Sequence, residues 1–495
     1  MSTSRKEPIA KVDTAWLRME QPTNLMMITG VIELDELVEF EHFRRIVANR
    51  FLSFPRFRQK AVDHPRGCWW EEDKQFELSS HIRRTALPGK ADKAELEELV
   101  SELASTPLDK TKPLWQMHFV ENYALGPVAI SRIHHAYADG IALVQVMLSL
   151  TEPSAAASNQ LVEQEAWKQR RVAESSIFKR LTAPARQSAG VITNVTHKVS
   201  DQVCDLINNP CKAGEYVYGA GEITAELATA LLLDDDPPSR FKGELGVRKR
   251  VSWAPPLSLE EVKAVGYALG ATVNDVLIAT MTGALHRYLV EAGDDPTTLS
   301  MRATVPVNLR PLEHARDLGN HFGLVFLDLP ISEANALARL HKVAAFMQRL
   351  KKSKQAVMSL GLLAALGMGP AALQQPALEL FSRKASTVLT NVPGPQHPLY
   401  LAGVPIREMM FWVPQTGSIG MGISIISYQG QVYCGLITDN KLVSDPQLII
   451  DFFVEEFNEL LHLTLLIGPQ DAPVTPDAVE TVHEWIRGTA DSALV

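Results

Sequence analysis

Hydrophobic positions recur at two spacings along the first part of the chain, and each spacing predicts one kind of element. Apolar side chains stand three and four positions apart in residues 40–51 and again in residues 93–103, which predicts two amphipathic helices. Residues 115–120 alternate apolar and polar side chains, and residues 128–134 form a second strand-like run after a turn at 122–127. We therefore expect a strand hairpin flanked by helices.

The second part of the chain shows a similar irregular alternation of elements. Helical spacing covers residues 257–269, 272–290, 333–350 and 446–463, and strand patterns cover residues 300–307, 323–329, 387–391, 419–427 and 431–438. The intervening stretch is polar and irregular, which is typical of an interdomain connection. We predict an α/β (α+β) chain with an N-terminal domain at 1–152, a partly helical linker at 153–243 and a C-terminal domain at 244–495, both domains having mixed sheets.

The most informative motif, His134-His135-Ala136-Tyr137-Ala138-Asp139-Gly140, lies where a predicted strand meets a predicted helix. Adjacent strand residues point to opposite faces, so His134 and His135 cannot both present their rings to one substrate. With Val128 and Ile130 on the core face, His134 continues that face, and His135 is left at the loop as the reactive residue. A neutral imidazole with a pKa near 6.5 can accept a hydroxyl proton, so we expect His135 to act as a general base.

Two further residues of this motif are expected to shape the loop. Asp139 can orient His135 as in a catalytic triad, or it can cap the following helix and pair with an arginine; we favour the second role. Gly140 is expected to let the backbone turn sharply. The chain has no GxSxG, HExxH, P-loop or GxGxxG motif, so direct transfer in a ternary complex is favoured over an acyl-enzyme.

Composition narrows the class of protein further. The chain has 495 residues, 46% of them hydrophobic, which is enough for two cores, and its net charge of −9 argues against nucleic acid as a partner. The four cysteines are scattered without CxxC spacing, so we predict neither a metal site nor a cofactor. They are Cys68, Cys204, Cys211 and Cys434.

The sequence also bears on location. The first residues lack the apolar region of a signal peptide and no run of 18 apolar residues occurs, so we expect a cytoplasmic protein. Residues 167–186 are basic with apolar anchors, which indicates either peripheral contact with an anionic membrane or lipid inclusion, or a solvated linker helix. Both interpretations stay open, and the oligomeric state is not indicated.

Several motifs together resemble the bacterial wax ester synthase/diacylglycerol acyltransferase family, part of the wider group that contains chloramphenicol acetyltransferase and peptide-synthetase condensation domains. The resemblance covers nearly the whole chain in matching order and spacing. Besides the histidine motif, it rests on Pro113-Leu114-Trp115, Asn274-Asp275, Pro306-Val307-Asn308-Leu309-Arg310 and Thr390-Asn391-Val392-Pro393-Gly394-Pro395.

The resemblance implies two chloramphenicol-acetyltransferase-like domains with a tunnel between them. Acyl-CoA is then a co-substrate, and a fatty alcohol or diacylglycerol is the acceptor. His135 matches the family's base, with His134 beside it in the catalytic set. Asp139 matches an aspartate that forms a salt bridge in the wider group, and rough alignment suggests Arg58 as its partner.

The other matched residues receive roles by the same resemblance. Asn274 matches a motif whose amide can bind the thioester oxygen or position the alcohol, but an asparagine at a helix start can equally be a cap. Gly140, Thr390 and Asn391 are the expected substrate-binding residues. A structural role is expected for Pro113, Leu114, Trp115 and Arg58, and residues 357–373 are a candidate tunnel lining.

The function that follows is transfer of a long acyl group from CoA to a fatty alcohol or diacylglycerol, giving wax ester or triacylglycerol. Two alternatives remain: an amide-forming condensation enzyme acting on carrier-protein substrates, and a non-catalytic lipid-binding protein of the same fold. The sequence ranks neither the acceptors nor the acyl chain lengths.

Overall fold

The computed structural model describes residues 6–65, 67–159, 233–308, 318–320, 322–351, 379, 382–415 and 417–467. The candidate membrane segment at 167–186, the candidate tunnel lining at 357–373 and the end of the motif at 306–310 lie outside these residues. The helices of the described part are α1 (Lys11–Met19), α2 (Phe40–Arg50), α3 (Lys93–Ser105), α4 (Gly140–Leu148), α5 (Ala155–Asn159), α6 (Leu259–Ala268), α7 (Val273–Glu291), α8 (Ala336–Lys351) and α9 (Pro446–Ile467).

The strands form two large mixed sheets and one small one. They are β1 (Lys6–Pro8), β2 (Met27–Leu34), β3 (Gln59–His64), β4 (Gly67–Glu72), β5 (Ile82–Thr85), β6 (Trp115–Val120), β7 (Val128–His134), β8 (Lys249–Trp253), β9 (Leu257–Ser258), β10 (Met301–Asn308), β11 (Phe322–Leu329), β12 (Thr387–Pro393), β13 (Tyr400–Leu401), β14 (Val404–Trp412), β15 (Met421–Tyr428) and β16 (Gln431–Asp439). The first large sheet has the order β13-β14-β2-β7-β6-β5, and the second has the order β11-β10-β12-β15-β16-β8, with β9 beside β16.

Both large sheets contain parallel and antiparallel pairs, so the predicted α/β class with mixed sheets is confirmed. The pairs β5/β6, β10/β12 and β12/β15 are parallel. The predicted hairpin is confirmed at both strands, since β6 and β7 run antiparallel from Val120↔Val128 to Trp115↔Ile133. The small sheet, in the order β1-β4-β3, was not predicted.

A crossover between the two halves corrects the predicted domain boundaries. Strand β14 pairs with β2 over Thr29↔Trp412 to Leu34↔Ile406, and β13 extends the same sheet. Residues 400–412 therefore belong to the first sheet, although the predicted boundary placed all of 244–495 in the second domain. A boundary drawn along the sequence cannot represent a strand that returns to the other sheet.

Helix α3 closes the open edge of the second sheet. The backbone N–H groups of Val251 and Lys249 in β8 donate to the Oγ atoms of Ser101 (2.9 Å) and Ser105 (2.7 Å) in α3. Edge strands expose unpaired backbone groups that cost free energy when buried, and these serine hydroxyls satisfy them. The two halves are thus joined by β14, which pairs within the first sheet, and by the contact of α3 with β8.

Two hydrophobic cores accompany the two sheets. The first contains α1, α2 and the loop after β7 and also takes residues of β14, such as Phe411 and Trp412; the second surrounds α7 and α9. Within the described residues, no single helix is long and apolar enough to cross a membrane. The pair α6 and α7 passes that length and composition test together, but its two helices meet at 95°.

A buried ion pair fixes β8 to β16 inside the second sheet. The Nζ of Lys249 lies 2.6 Å from Oδ2 of Asp439, and the two side chains are 6% and 0% exposed. The N–H of Gly246 also donates to this carboxylate at 2.9 Å. Removing one partner of such a pair leaves an uncompensated buried charge.

We expect Lys249→Met to lower the free energy of unfolding by roughly 3–5 kcal/mol, because Asp439 would lose its counter-ion inside the protein. Urea denaturation followed by tryptophan fluorescence measures this change. The control is Lys441→Met: Lys441 lies 3.5 Å from Glu244, and their side chains are 55% and 92% exposed. That variant should stay within about 1 kcal/mol of the wild type, and equal effects would contradict the prediction.

Candidate active site

The histidine motif forms a tight loop between β7 and α4, as predicted. Asp139 is the N-cap of α4, and its Oδ1 accepts a hydrogen bond from the N–H of Ala142 at 2.8 Å. This confirms the predicted capping role. A segment from the second half of the chain lies against the loop, because the N–H of Gly319 donates to the carbonyl of Tyr137 (2.9 Å) and the N–H of Asp139 donates to that of Gly319 (3.3 Å).

Tyr137 connects this loop to the Pro113-Leu114-Trp115 motif. Its hydroxyl accepts from the N–H of Leu114 (3.0 Å) and donates to the carbonyl of Gln59 (2.8 Å). The indole N–H of Trp115 donates to the carbonyl of Phe57 at 2.7 Å, and Trp115 is 1% exposed. These bonds support the structural role predicted for the motif, which packs against the histidine loop.

His134 holds the loop instead of facing a substrate. Its Nδ1 accepts the N–H of Ala136 at 3.0 Å, so the ring proton is on Nε2, which lies 3.1 Å from Oε2 of Glu20. Glu20 also pairs with Lys110 at 2.8 Å. The side chain of His134 is 1% exposed. This agrees with the prediction that His134 packs, and it gives this residue a positioning role within the predicted catalytic set.

The ring of His135 lies in an aromatic setting built from two distant segments. It stacks on Trp16 of α1, with ring centroids 4.2 Å apart and planes 20° apart, and Phe322 of β11 lies 5.6 Å away at 53°. The residue is 5% exposed. Its Nδ1 is fully buried and finds no hydrogen-bond partner among the described residues.

Burial keeps His135 in its neutral form. Loss of hydration disfavours the imidazolium and lowers the pKa of His135 to about 4, although the charge of Asp139 opposes this shift. A ring that is neutral at cytosolic pH can accept a proton at once. This environment suits the base predicted from the sequence.

A hydrogen-bonded pair beneath the loop was not predicted. The N–H and Nδ2 of Asn320 both donate to Oδ1 of Asp13, at 3.0 and 2.8 Å, and Nδ2 also donates to the carbonyl of His135 at 2.9 Å. Asp13 and Asn320 are 2% and 4% exposed. Burial raises the pKa of Asp13 to about 6, against the opposing hydrogen bonds from Asn320. The backbone of His135 is thus fixed by residues from both halves of the chain.

An apolar cleft lies beside the loop, between the first sheet, α4 and β15. Gly140 lies on its wall, and a Cβ added there would meet Ile28 Cδ1 only at 3.9 Å. Gly140 begins α4 without a left-handed backbone, so the predicted sharp turn is wrong: the missing side chain leaves the cleft open instead. Representative lining residues are Ile133, Leu143, Met147, Met410 and Ile426.

A second cavity of about 680 Å³ lies on the helix side of the second sheet. Asn274 and Asn391 line it together, and Nδ2 of Asn391 donates to Oδ1 of Asn274 at 2.9 Å. The cap of α7 is Thr272, in a capping box with Asp275, so the capping alternative for Asn274 is wrong. The amide of Asn274 faces a cavity instead of closing its own helix.

The two remaining predicted residues, Thr390 and Arg58, are not among the residues described above around His135 and the second cavity. Thr390 is 6% exposed, and strand alternation places it on the face of β12 opposite Asn391, beside Val388 and Val392 in the first core. Arg58 ends a short turn before β3, and within the described residues no ion pair joins it to Asp139. Its neighbour Arg56 instead lies 2.6 Å from Glu7.

Sequence reasoning missed Asp13, Trp16 and Asn320. Asp13 and Trp16 are three positions apart and share the buried face of α1, where an acidic residue on an apolar face was the available signal. Asn320 lies between Gly319 and the first residues of β11, and no pattern in the surrounding sequence marks it as a site residue. Among the described residues, no group of three histidine, cysteine, aspartate or glutamate side chains could hold a metal ion.

Solved structures with this architecture define the class of protein. A wax ester synthase/diacylglycerol acyltransferase from Marinobacter aquaeolei VT8 matches with a TM-score of 0.67 and 21% identity, covering 92% of this chain and 99% of that one. The first condensation domain of the calcium-dependent antibiotic synthetase matches with a TM-score of 0.56 and 14% identity, covering 95% and 98%. At these identities the likeness establishes the fold, which is that of the chloramphenicol-acetyltransferase-like group.

Sequence comparison defines the family within that class. The profile of the wax ester synthase/diacylglycerol acyltransferase catalytic domain matches residues 9–277, and that of the WS/DGAT C-terminal domain matches residues 318–461. A Mycobacterium bovis protein provisionally named a diacylglycerol O-acyltransferase is 31% identical over 436 residues, 85% of this chain and 90% of that protein. A similarly named Mycobacterium tuberculosis protein is 27% identical over 478 residues, 92% and 90% of the two chains. The chain belongs to the wax ester synthase/diacylglycerol acyltransferase family and is an acyltransferase.

The lowered pKa of His135 predicts an unusual pH profile. With a pKa of about 4, the ring stays neutral as the pH falls from 8 to 5.5, so kcat/KM for acyl transfer should decline by less than about twofold. A base with the ordinary pKa of about 6.5 would lose about nine-tenths of its neutral form by pH 5.5. Initial rates across this pH range measure the difference.

The control for this profile is Asp13→Asn, which removes the other group near the loop that titrates in the range, with a pKa of about 6. Its profile should stay as flat as that of the wild type. A decline of about tenfold by pH 5.5 in both proteins would contradict the prediction for His135.

Proposed function

We propose that this protein transfers a long acyl group from CoA to the hydroxyl of a fatty alcohol or of diacylglycerol, with His135 as the general base. The observation that carries the proposal is the neutral, buried imidazole of His135 in a loop that ends at Gly140, a residue lining an apolar cleft. A base and an apolar site next to each other are what an ester-forming reaction on lipid substrates requires.

The ring of His135 carries out both proton transfers of the proposed reaction. Nε2 of His135 takes the proton of the acceptor hydroxyl as its oxygen attacks the thioester carbonyl. The tetrahedral intermediate then collapses, the carbon–sulfur bond breaks, and the departing thiolate receives the proton from His135. The products are an ester and free CoA, and the histidine returns to its neutral form. General-base assistance of this kind contributes roughly 10²- to 10⁴-fold to the rate.

The lining of the cleft favours apolar substrates. Most of its side chains are apolar, from Ile28 and Ile133 near the loop to Met147 on α4 and Met410 on β14. Burying each methylene of a substrate contributes about 0.8 kcal/mol, so a sixteen-carbon chain offers on the order of 10 kcal/mol. An apolar cleft collects this binding free energy, whereas a polar substrate would gain little from it.

The acceptor class is proposed from the family and from the relatives' names, which refer to wax ester synthesis and to diacylglycerol. Such acceptors partition into membranes and lipid inclusions, so we propose peripheral contact of the protein with one of these surfaces. Asn274 and Asn391 contribute polar contacts to a substrate from the second cavity.

Replacing His135 by Ala should lower kcat by roughly 10²- to 10⁴-fold, because the base is removed and the ring is not needed to fold the loop backbone. The measurement is thiol release from palmitoyl-CoA with hexadecanol, dipalmitoylglycerol or a long-chain amine as acceptor. The control is His286→Ala, since His286 binds the carbonyl of Ile331 at 2.7 Å in the second half and should leave kcat unchanged.

Three outcomes would contradict the proposal. Thiol release with the amine alone would indicate a condensation enzyme, and no release from the wild type with any acceptor would indicate a lipid-binding protein. Unchanged activity of His135→Ala would show that another group is the base.

Asn274→Ala and Asn391→Ala test the second cavity. If the two amides bind a substrate, each variant should raise KM by about two- to tenfold with kcat unchanged, the size expected for one neutral hydrogen bond. Titrating acyl-CoA and acceptor separately shows which substrate is affected. A loss of thermal stability with unchanged KM in both variants would restrict the pair to a structural role.

A further inference from the structure

The amide of Asn320 is held in one orientation by Asp13. Oδ1 of Asp13 accepts both the backbone N–H and Nδ2 of Asn320, at 3.0 and 2.8 Å, and an ionised carboxylate can only accept. Nδ2 must therefore face Asp13. Its second hydrogen points to the carbonyl of His135 at 2.9 Å, so both amide hydrogens are used. The Oδ1 atom of Asn320 is consequently turned away from the carboxylate.

Two complementary atoms remain unpaired in this part of the site. Oδ1 of Asn320 and Nδ1 of His135 are both fully buried, and neither has a hydrogen-bond partner within the part of the chain that the structure describes. The side chain of Asn320 is next to His135, because its Nδ2 donates to the carbonyl of that residue at 2.9 Å. Burial lowers the pKa of His135, and three effects oppose this shift, in order of size: the charge of Asp139, the residue's own backbone and the side chain of Asn320. Bonds in resting sites often tighten only during the reaction.

Two other acceptors near the ring are already engaged. The carbonyl of His135 itself, which also favours a proton on the ring, accepts Nδ2 of Asn320 at 2.9 Å. The carboxylate of Asp139 is used to cap α4, through the N–H of Ala142. Trp16 covers one face of the His135 ring at 4.2 Å and restricts its rotation. An amide oxygen that accepts but cannot donate distinguishes the two ring tautomers, because it favours the one with a proton facing it.

We infer that Asn320, oriented by Asp13, is a positioning residue that fixes His135 with its proton on Nδ1 and leaves Nε2 free to accept the proton of the acceptor hydroxyl. This inference rests on the proposed role of His135 as the base. When Nε2 gains the substrate proton, the ring becomes cationic, and its Nδ1–H binds the amide oxygen more strongly than the neutral ring does. The hydrogen bond from Nδ1–H of His135 to Oδ1 of Asn320 therefore stabilises mainly the transition state.

Kinetics of three variants test the inference. Asn320→Ala should lower kcat by about 10- to 100-fold with KM within about twofold, because an interaction made in the transition state is lost. Asp13→Ala should lower kcat similarly, since Asn320 loses its anchor. Asp13→Asn keeps an acceptor oxygen where Oδ1 receives both bonds, and its kcat should stay within about threefold of the wild type.

The tautomer of His135 should stay unchanged on substitution of Asn320 if Asn320 has only a structural role. In 15N-histidine-labelled protein at pH 7, with the resonances assigned by their loss in His135→Gln, we expect the proton on Nδ1 in the wild type and in Asp13→Asn. Asn320→Ala should shift His135 toward the Nε2–H form. A wild-type ring protonated on Nε2 would overturn the inference, and this measurement also decides the matter if Asn320→Ala does not fold.

Gln415→Ala is the matched control for the loss of a buried amide. Gln415 is 3% exposed, and its Nε2 binds the carbonyls of Gly420 and Ile437 at 3.3 and 3.0 Å in the second sheet. This variant should lose stability but keep kcat and the His135 tautomer.

Failure of the inference is distinguishable from failure of the proposed function. An inactive His135→Ala protein together with normal kcat in Asn320→Ala would reject only the inference. It would also be rejected if Asp13→Asn were as slow as Asp13→Ala. Full activity in His135→Ala would reject the proposed base, and the inference with it.

Discussion

An imidazole buried in an aromatic setting loses the water that would otherwise bind and orient it, and this constraint decides the arrangement around His135. Its backbone N–H donates to the carbonyl of Met26 at 2.7 Å, and its own carbonyl accepts from Asn320. The ring is held by Trp16 instead of by solvent. Burial therefore keeps the imidazole neutral and, by removing water, requires a rigid protein surrounding in its place.

The sequence predicted the parts of the site that are local in the chain. The strand end, the tight loop and the helix cap at Asp139 all follow from periodicity and from helix-capping preferences within one short segment. Asn320 could not be found in this way, because it stands 185 positions from His135 and its role is defined by three hydrogen bonds. Asp13 carried a signal of its own, an acidic residue on the buried face of α1, but its partner Asn320 lies 307 positions away.

The elements that the sequence missed have related explanations. Strand β14 is buried on both faces near its end, at Met409–Trp412, so it lacks the alternation by which half-buried strands are recognised. Strand β8 begins with Lys249 and Arg250, which resemble solvent-exposed residues until the partners Asp439 and Glu98 are known. Periodicity in the sequence predicts which faces of an element are buried, but it does not predict which partner residues other segments bring to those faces.

Asn274 shows how a motif can be recognised while its role is not. Its position at a helix start made capping and substrate contact equally reasonable, and only the capping box of Thr272 and Asp275 separates them. Condensation domains share this fold at 14% identity, so the architecture by itself does not choose between ester and amide formation. The choice rests on the side chains around His135 and in the cavities.

The return of β14 to the first sheet has a consequence for how the protein is made. Until residue 412 has left the ribosome, the edge of β2 that will pair with β14 has no partner. The part of the first core that Phe411 will cover also stays open. The first sheet therefore cannot be completed during synthesis of the N-terminal half. The nascent chain therefore carries an open strand edge, of the kind that can pair with other chains, for most of its translation.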